Sequence, residues 1–331
     1  YDLWETELFE PFLELRDALG TLEFAQLIAW SFDHEAAKEQ MKEVNTYTYR
    51  TADYMLSSAQ DYRKGSRGNQ YHAWQATFDA NAQVFTTHPA IPPRENTEWG
   101  DDPDPGNWTG TASMPRSAQH QNVAIHLYAP QYVPFPTEPF RTFMRYEPYT
   151  HAYFPLDHFD EVVVDEAGIV PEGNWTFGRF RDGYIALYSW RPAGFVDHGP
   201  TVPTNGMVQP FDLIAEGGAD NVWIVECGRA ADWGSFGDFQ DAIRSADVAV
   251  TPVTEGLPVL TVPPFFEVEY ESPRLGTMSF GWESPLVVDG EEIPIGDYPR
   301  YDNPWTQTEF LNKDLLLQDA ATGNSLWQDF E

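Results

Sequence analysis

The sequence predicts a mainly β protein, an antiparallel β-sandwich of stacked sheets that follows a short N-terminal helical segment. From Thr46 onward, segments of alternating polar and apolar residues are separated by Gly, Pro, Asn and Asp, which is typical of antiparallel sheets. The dipeptides Asp182-Gly183 and Asp289-Gly290 each lie between two such segments, where two-residue hairpin turns are expected. The 331 residues are 42% hydrophobic and 15% aromatic, which suffices for a substantial core.

Helical patterns open the chain. Residues 3–19 and 21–43 have apolar residues at helical spacing, and Asp33 is placed to cap a helical turn that follows it. The pattern then changes to the short alternation of strands. We therefore divide the chain into a helical lead-in at residues 1–45 and an antiparallel β-sandwich domain at residues 46–331.

Outside the strands, the sequence predicts one late helix and two long loops. Ser235 can cap the helix, and its apolar stripe, which we interpret as a packing face rather than a cofactor site, consists of Phe236, Phe239, Ala242 and Ile243. The loops are stretches rich in Pro, Gly, Asp and Asn, at residues 90–116 and 129–150. Loops of such length are often functional.

The chain is strongly acidic. It has 52 Asp and Glu against 19 Lys and Arg, and its formal net charge is −33. Such a charge destabilises the compact state by self-repulsion, and molar salt screens it because the Debye length falls to about 3 Å. We interpret the charge as adaptation to a halophilic source, with an acidic binding function as the alternative. The same charge argues against nucleic acid as a partner, since phosphate backbones are bound by clustered Lys and Arg.

The sequence also bears on redox chemistry and location. Cys227 lies within an apolar run, which favours a buried structural thiol over a nucleophile. No stretch approaches the roughly 18–20 apolar residues of a membrane span, so we predict no membrane partner. The chain begins at Tyr1 without a basic-then-apolar leader, and we interpret it as mature or trimmed. We expect a secreted or cell-surface protein, with the cytoplasm of a salt-accumulating halophile as the alternative.

The first candidate site is a hairpin with a predicted three-residue loop at residues 79–81. If Phe78 pairs with Ala82, the antiparallel ladder places His72 directly opposite His88. Their face also carries Trp74, Phe78 and Val84. Two imidazoles beside an apolar face suit a proton-transfer or metal site, because His titrates near neutrality. The alternative is a pair of hydrogen-bonded core histidines.

The second candidate is the alternating segment 119–128. One face carries Val123, Ile125 and Leu127, and the other carries His120, Asn122, Ala124, His126 and Tyr128. We interpret Tyr128 as a candidate catalytic residue, and His120 and His126 as candidate substrate-binding residues. The alternative is an ordinary strand whose polar face meets solvent.

Two further sets of residues suggest ligand binding. Candidate metal ligands, whose spacing matches no established metal motif, are His151, Asp157, His158 and Asp160. No cofactor is predicted, and a divalent metal stays an open alternative. Basic residues are scarce, and several lie near the candidate segments: Arg63, Lys64, Arg67, Arg141, Arg145, Arg179 and Arg181. Together they would line a positive cleft that binds a carboxylate or sulfate. The alternative is that they lie there by chance.

A helical segment that passes into a long antiparallel β region resembles the end of the polysaccharide lyases that join an α/α toroid to a stacked β-sheet domain, the heparinase II/III-like and alginate-lyase-like group. That group carries a His-x-His-x-Asp pattern on an early β-domain strand. In the segment Gln70-Tyr71-His72-Ala73-Trp74, His72 corresponds to the second histidine, while Gln70 replaces the first histidine and Trp74 replaces the acid. Later segments that are similar to the group are 270–273, 280–282 and 299–304.

The resemblance implies a lyase that cleaves an acidic, uronate-containing polysaccharide by β-elimination. It further implies that residues 1–45 end an upstream catalytic toroid. In such a mechanism one group neutralises the uronate carboxylate, a base removes the C5 proton and an acid protonates the leaving oxygen. The candidate catalytic residues are then His72, His88, Tyr71 and Tyr128, and the candidate substrate-binding residues are Arg67, Arg145, His120, His126 and Trp74.

Other functional classes stay open. A noncatalytic β-sandwich that binds carbohydrate, or that docks onto a catalytic partner, would use the many Trp and Tyr rings to cover the apolar faces of sugars. A glycoside hydrolase is the third alternative. Its paired carboxylates cannot be singled out among 52 acidic residues.

Overall fold

The structure is a computed structural model that describes residues 17, 20, 43–69, 71–93, 106–131, 146–166, 173–202, 206–254, 263–299, 301–303, 305–319 and 321–329. The helices predicted at 3–19 and 21–43 lie outside the described residues, apart from Asp17 and Glu43. Gln70, Arg141 and Arg145 also lie outside the described residues.

Strands account for most of the regular structure in the described part of the chain. The first twelve are β1 (Asn45–Arg50), β2 (Met55–Gln60), β3 (Gly68–Asn69), β4 (Trp74–Thr77), β5 (Gln83–Thr87), β6 (Gly110–Thr111), β7 (Arg116–His120), β8 (Val123–Tyr128), β9 (Tyr149–Tyr153), β10 (Glu161–Val164), β11 (Asn174–Phe180) and β12 (Gly183–Ser189). The others are β13 (Ala193–Val196), β14 (Asp212–Glu216), β15 (Asn221–Arg229), β16 (Val248–Val253), β17 (Phe265–Ser272), β18 (Gly276–Gly281), β19 (Leu286–Val288), β20 (Glu291–Ile293), β21 (Tyr301–Asn303), β22 (Thr306–Thr308), β23 (Asp314–Gln318) and β24 (Ser325–Asp329). The helices are α1 (Ala230–Trp233) and α2 (Phe236–Arg244).

Three antiparallel sheets stack on one another, which confirms the predicted mainly β fold. The first sheet has seven strands in the order β1-β2-β4-β5-β9-β14-β13. The middle sheet has six, in the order β10-β11-β12-β15-β8-β7, and the third has five, β16 to β20 in chain order. A pair, β3-β6, and a four-stranded sheet, β21 to β24, complete the described sheets.

The middle sheet is buried on both faces, because alternate residues of its central strands point to opposite sides. In β15, Val222 and Ile224 pack with Phe266 and Phe280 of the five-stranded sheet. Their neighbours Trp223 and Val225 pack instead with the first sheet, against Leu56, Trp74 and Val84. The protein therefore has two apolar layers, one on each side of the middle sheet.

Both predicted Asp-Gly hairpins are present, but at one of them the turn lies one residue earlier than predicted. Asp289 and Gly290 form the turn between β19 and β20 with φ values of 50° and 83°, as two left-handed turn positions require. At the other hairpin, however, Phe180 pairs with Gly183, so the turn residues are Arg181 and Asp182. Gly183 is needed in the strand, because a Cβ there would lie 2.8 Å from the carbonyl oxygen of Asp53.

The predicted late helix is present as α2. The Ser235 side chain accepts a hydrogen bond from the backbone N–H of Asp238 at 3.1 Å and so caps its first turn. Phe236, Phe239 and Ile243 are buried against the middle sheet, which confirms that the stripe is a packing face. In the described residues, no helix has the length and apolar character needed to cross a membrane.

The C-terminal sheet differs from the stacked sheets because it has little core of its own. All five residues of β24 are exposed. The large exposed side chains of this region are Trp305, Leu311, Leu317, Leu326 and Trp327. Among the described residues, the side chains that form the candidate functional site lie instead on the seven-stranded sheet.

Candidate functional site

Three neighbouring strands of the seven-stranded sheet place a row of side chains on the face turned away from the core. Phe85 of β5 pairs with Tyr153 of β9, and Tyr153 pairs with Asp212 of β14. We call these three residues the outer row. Their chain neighbours Val84, Ala152 and Leu213 belong to the apolar core, so strand alternation directs the outer row to the opposite face.

Asp212 lies between two imidazoles. Its Oδ1 is 2.8 Å from Nδ1 of His151, and its Oδ2 is 2.7 Å from Nε2 of His198. The carboxylate has lost nearly all contact with water. Burial alone would raise the pKa of Asp212, but the charges of, and hydrogen bonds from, His151 and His198 hold it below its usual value.

His151 is sealed inside this network. Its Nε2 lies 2.6 Å from Oγ1 of Thr87 and 2.9 Å from the backbone carbonyl oxygen of Asn107. The Trp108 ring stacks on the imidazole with centroids 4.0 Å apart, and Tyr149 meets it edge-on at 5.7 Å. Since His151 is fully buried, it can act on a bound molecule only through its neighbours.

His198 is the member of the network that reaches solvent. It follows β13 by two residues, and 15% of its side chain is exposed. The side chain of Gln209 holds the local backbone, accepting from the N–H of His198 at 2.6 Å and donating to the carbonyl of Gly199 at 2.9 Å. The ring is therefore held at the edge of the site with its Nε2 on Asp212.

An apolar cluster forms the floor of the site. Phe85 stacks on Tyr153 at 5.2 Å, Trp108 packs against both rings, and Phe211 packs against Tyr153 and Trp108. Met207 packs against this cluster. The Tyr153 hydroxyl donates to Sδ of Met207 at 2.8 Å. Partial burial raises the pKa of Tyr153, with a smaller contribution from the negative charge of Asp157, so this hydroxyl keeps its proton at neutral pH.

His72 lies at the other end of the outer row. Its ring stacks on Phe85 at 4.2 Å, and its Nε2 is 2.9 Å from the carbonyl oxygen of Trp108. A carbonyl only accepts hydrogen bonds, so Nε2 carries the hydrogen and Nδ1 of the neutral ring keeps a lone pair. The residue is exposed overall, but loss of water on the covered ring face lowers the pKa of His72.

The predicted hairpin register is confirmed, although it does not bring His72 and His88 together. Ala76 pairs with Val84 and Thr77 with Gln83, as the predicted loop requires. The pairing of β4 with β5 ends at Ala76 and Val84, and β4 itself begins at Trp74, so His72 precedes the strand and stacks on Phe85. His88 is fully buried, with its Nε2 2.9 Å from the carbonyl of Glu147, and burial lowers its pKa to about 3. The two histidines therefore have separate surroundings.

The predicted polar face of β8 is buried, because this strand lies inside the middle sheet. Tyr128 is fully buried, and its hydroxyl contacts Oγ1 of Thr86 at 3.0 Å. The His126 ring stacks on Trp74 at 4.7 Å, and its Nδ1 contacts Ser117 at 2.9 Å. The interpretation of β8 as a solvent-facing strand is wrong, and Tyr128, His126 and Trp74 have no access to a polymer.

The remaining predicted residues lie outside the outer row. Tyr71 packs edge-on against Tyr62 at 5.9 Å, and His120 lies at the end of β7, 3.3 Å from the side chain of Gln121. Arg67 is 2% exposed. The predicted positive cleft is not assembled from the described residues: Lys64 donates to the carbonyl of Trp282, and Arg179 binds Asp160 and Glu161.

The candidate metal ligands also separate. His151 binds Asp212, whereas Asp160 accepts a hydrogen bond from the backbone of Arg181 at 2.6 Å. His158 and Asp157 are 4.0 Å apart on the surface. In the part of the chain that the structure describes, no three His, Cys, Asp or Glu side chains gather to hold a metal ion.

Asp212, His198, Trp108 and Tyr153 were not among the residues singled out from the sequence. The sequence did contain one indication that Asp212 has a buried partner. Asp212 stands in the apolar segment Phe211-Asp212-Leu213-Ile214-Ala215, and burying a carboxylate without a partner is costly. His198 stands in a Gly- and Pro-rich segment that carries no such signal.

Comparison of the chain with known proteins finds no matching family model, no matching curated protein and no matching solved structure.

Proposed function

We propose that the protein is a lyase that cleaves an acidic, uronate-containing polysaccharide by β-elimination at the outer row. The observation that carries the proposal is the placement of two imidazoles, His72 and His198, at opposite ends of one row in which Tyr153 is the middle residue. Phe85 and Asp212 are two strands apart, so the row spans roughly 10 Å. That distance leaves room for a sugar residue between the two rings.

The proton acceptor is His72. The Trp108 carbonyl holds the hydrogen on Nε2 and leaves the Nδ1 lone pair free, and the lowered pKa keeps the ring neutral near pH 7. In the proposed reaction the C5–H bond of the uronate breaks and its proton goes to Nδ1 of His72. The electron pair forms the C4–C5 double bond as the C4–O bond breaks.

The proton donor is Tyr153. Its raised pKa keeps the hydroxyl protonated, and Tyr153 is the middle residue of the row, where the leaving oxygen takes up the proton in the proposed reaction. Environments that push the acidities of two groups apart are the usual basis for separate acid and base roles. Exchange with water returns the proton from His72 to Tyr153 after each turnover.

His198 binds and neutralises the uronate carboxylate. Asp212, 2.7 Å from Nε2 of His198, stabilises the positive charge that the ring acquires on protonation. Neutralising the substrate carboxylate makes the C5 proton more acidic, because negative charge develops beside it in the transition state. In a chain with a net charge of −33, such a local cation is essential for holding an anionic polymer.

The first prediction tests these roles with a panel of uronate polymers, followed by the absorbance of the unsaturated product. His72→Ala and Tyr153→Phe should each lower kcat by about 100-fold or more, because each removes a proton-transfer group. His158→Ala is the matched control, since this partly exposed histidine is not a member of the outer row and the variant should keep full activity.

The result decides between the proposed function and a noncatalytic module. Product formation that is lost in His72→Ala and Tyr153→Phe but retained in His158→Ala supports the lyase. Binding of a polymer without any unsaturated product, over low and molar salt, would identify a carbohydrate-binding module that uses the same aromatic floor.

A further inference from the structure

We infer that His151 is a buried imidazolium that acts as a positioning residue: it cancels the charge of Asp212 and leaves His198 as the net cation offered to an anionic substrate. The role in substrate binding rests on the proposed function. The protonation of His151 follows from its contacts alone and can be tested without any substrate.

The Nε2 atom of His151 must carry a hydrogen. It lies 2.9 Å from the backbone carbonyl oxygen of Asn107, which can only accept. The Thr87 hydroxyl, 2.6 Å from the same nitrogen, can also accept, because its own hydrogen can be directed to the Asn107 carbonyl at 3.4 Å. A bare lone pair on Nε2 could accept from the Thr87 hydroxyl, but it would face the Asn107 carbonyl oxygen at 2.9 Å in a fully buried site, a repulsive contact that a hydrogen on Nε2 turns into a hydrogen bond.

The Nδ1 atom must carry a hydrogen as well. It lies 2.8 Å from Oδ1 of Asp212, whose other oxygen is contacted at 2.7 Å by Nε2 of His198. Two hydrogen bonds to one carboxylate stabilise its ionised form, and an ionised carboxylate can only accept. With hydrogens on both nitrogens, the His151 ring is positively charged.

The charges around the ring are consistent with this assignment. Its own strand contributes Tyr149, a neutral phenol that donates to the Asn107 side chain at 3.4 Å. Two further histidines, His72 and His88, lie on the neighbouring hairpin side, and burial is the main cause that lowers the pKa of each. The facing strand contributes Asp212, and the segment after β13 contributes His198. Asp212 is thus the carboxylate that contacts the ring.

The ion pair of Asp212 and His151 affects how the site binds its substrate. Asp212 and His151 together carry no net charge, so protonated His198 adds one positive charge to the site. Without the His151 charge, Asp212 and His198 would cancel and leave no net cation for a uronate. His151 does this from beneath Trp108, without contacting the polymer.

The decisive experiment is nitrogen NMR of histidine side chains in the whole chain. We expect both ring nitrogens of His151 to carry hydrogens at pH 7, since each of them contacts an acceptor. In Asp212→Asn the His151 ring should lose one hydrogen, because its counterion is gone. A His151 ring with one protonated nitrogen at pH 7 in the wild-type chain, or bound zinc at one ion per chain, would overturn the inference.

A kinetic experiment distinguishes a failure of this inference from a failure of the proposed lyase function. His151→Gln, if folded by its melting curve, should raise KM for a uronate polymer by roughly tenfold and leave KM for the carboxyl-esterified polymer unchanged. An equal rise for both polymers would count against the charge role. If the wild-type protein has no lyase activity but His151 carries hydrogens on both nitrogens, the proposed lyase function is wrong and the assignment of His151 as an imidazolium is supported.

Discussion

At the scale of single residues, Glu226 is the most unusual group outside the site. It is fully buried between the middle and the five-stranded sheets, where Tyr270 donates to its Oε2 at 2.7 Å. Burial raises its pKa from 4.5 to about 7, despite the opposing hydrogen bond from Tyr270. A carboxyl group in this position takes up its proton near neutral pH, so it couples the packing of two sheets to pH.

We predict that Glu226 makes the fold less stable as pH rises. The folded state holds the proton more tightly than the unfolded state, so the free energy of unfolding falls between about pH 4.5 and about pH 7 and is level above. Glu226→Gln should remove this fall and gain on the order of 2–3 kcal/mol at pH 8. Denaturant unfolding across this pH range measures the effect.

The control for this prediction is Glu271→Gln, on an exposed position of β17. It should leave the pH dependence unchanged. A Glu226→Gln variant whose unfolding free energy keeps the wild-type slope would show that Glu226 does not titrate in this range.

At the scale of elements, the hairpin between β11 and β12 depends on close packing at Gly183 as well as on the left-handed turn residue Arg181. A Cβ at position 183 would lie 2.8 Å from the Asp53 carbonyl oxygen and 2.8 Å from Cδ1 of Phe78. The backbone atom cannot rotate away, unlike a side-chain end. Gly183 therefore fixes how the hairpin of the middle sheet meets the first sheet.

We predict that Gly183→Ala lowers the free energy of unfolding by about 1–3 kcal/mol, as expected for an overpacked contact. The matched control is Gly194→Ala in β13, where no atom lies within 4 Å of the added methyl group. The control should change stability by less than about 0.5 kcal/mol. Equal effects of the two changes in denaturant titration would rule out the packing explanation.

At the scale of the whole molecule, the net charge of −33 acts on all layers at once. We predict that the melting temperature rises from dilute buffer to about 1 M salt, because screening shortens the range of like-charge repulsion. An uncharged osmolyte at matched osmolality is the control, since it does not screen charge. A flat or falling melting temperature in salt would argue against halophilic adaptation.

Features that depend on short stretches of chain were predictable from the sequence. The spacing of residues 72–88 gave the hairpin register, Ser235 gave the start of α2, and Asp289-Gly290 gave a left-handed turn. The alternation in β8 also separated its two faces correctly. Each depends on the fixed period of a strand or helix, or on the conformation that one residue type permits.

What the tertiary structure decided is which faces are buried and which distant side chains meet. No local sequence pattern indicates that β8 lies inside the middle sheet. The sequence therefore suggests that the face of β8 with histidines and a tyrosine is a candidate site, although this face belongs to the core. His151 and Asp212 are 61 positions apart, and they meet because β9 pairs with β14. The sequence by itself determined the class of fold and the residues available for chemistry. The order of strands, which arises from long-range pairing and burial, decided that Tyr153 and Asp212 share one row, with His72 and His198 at its two ends.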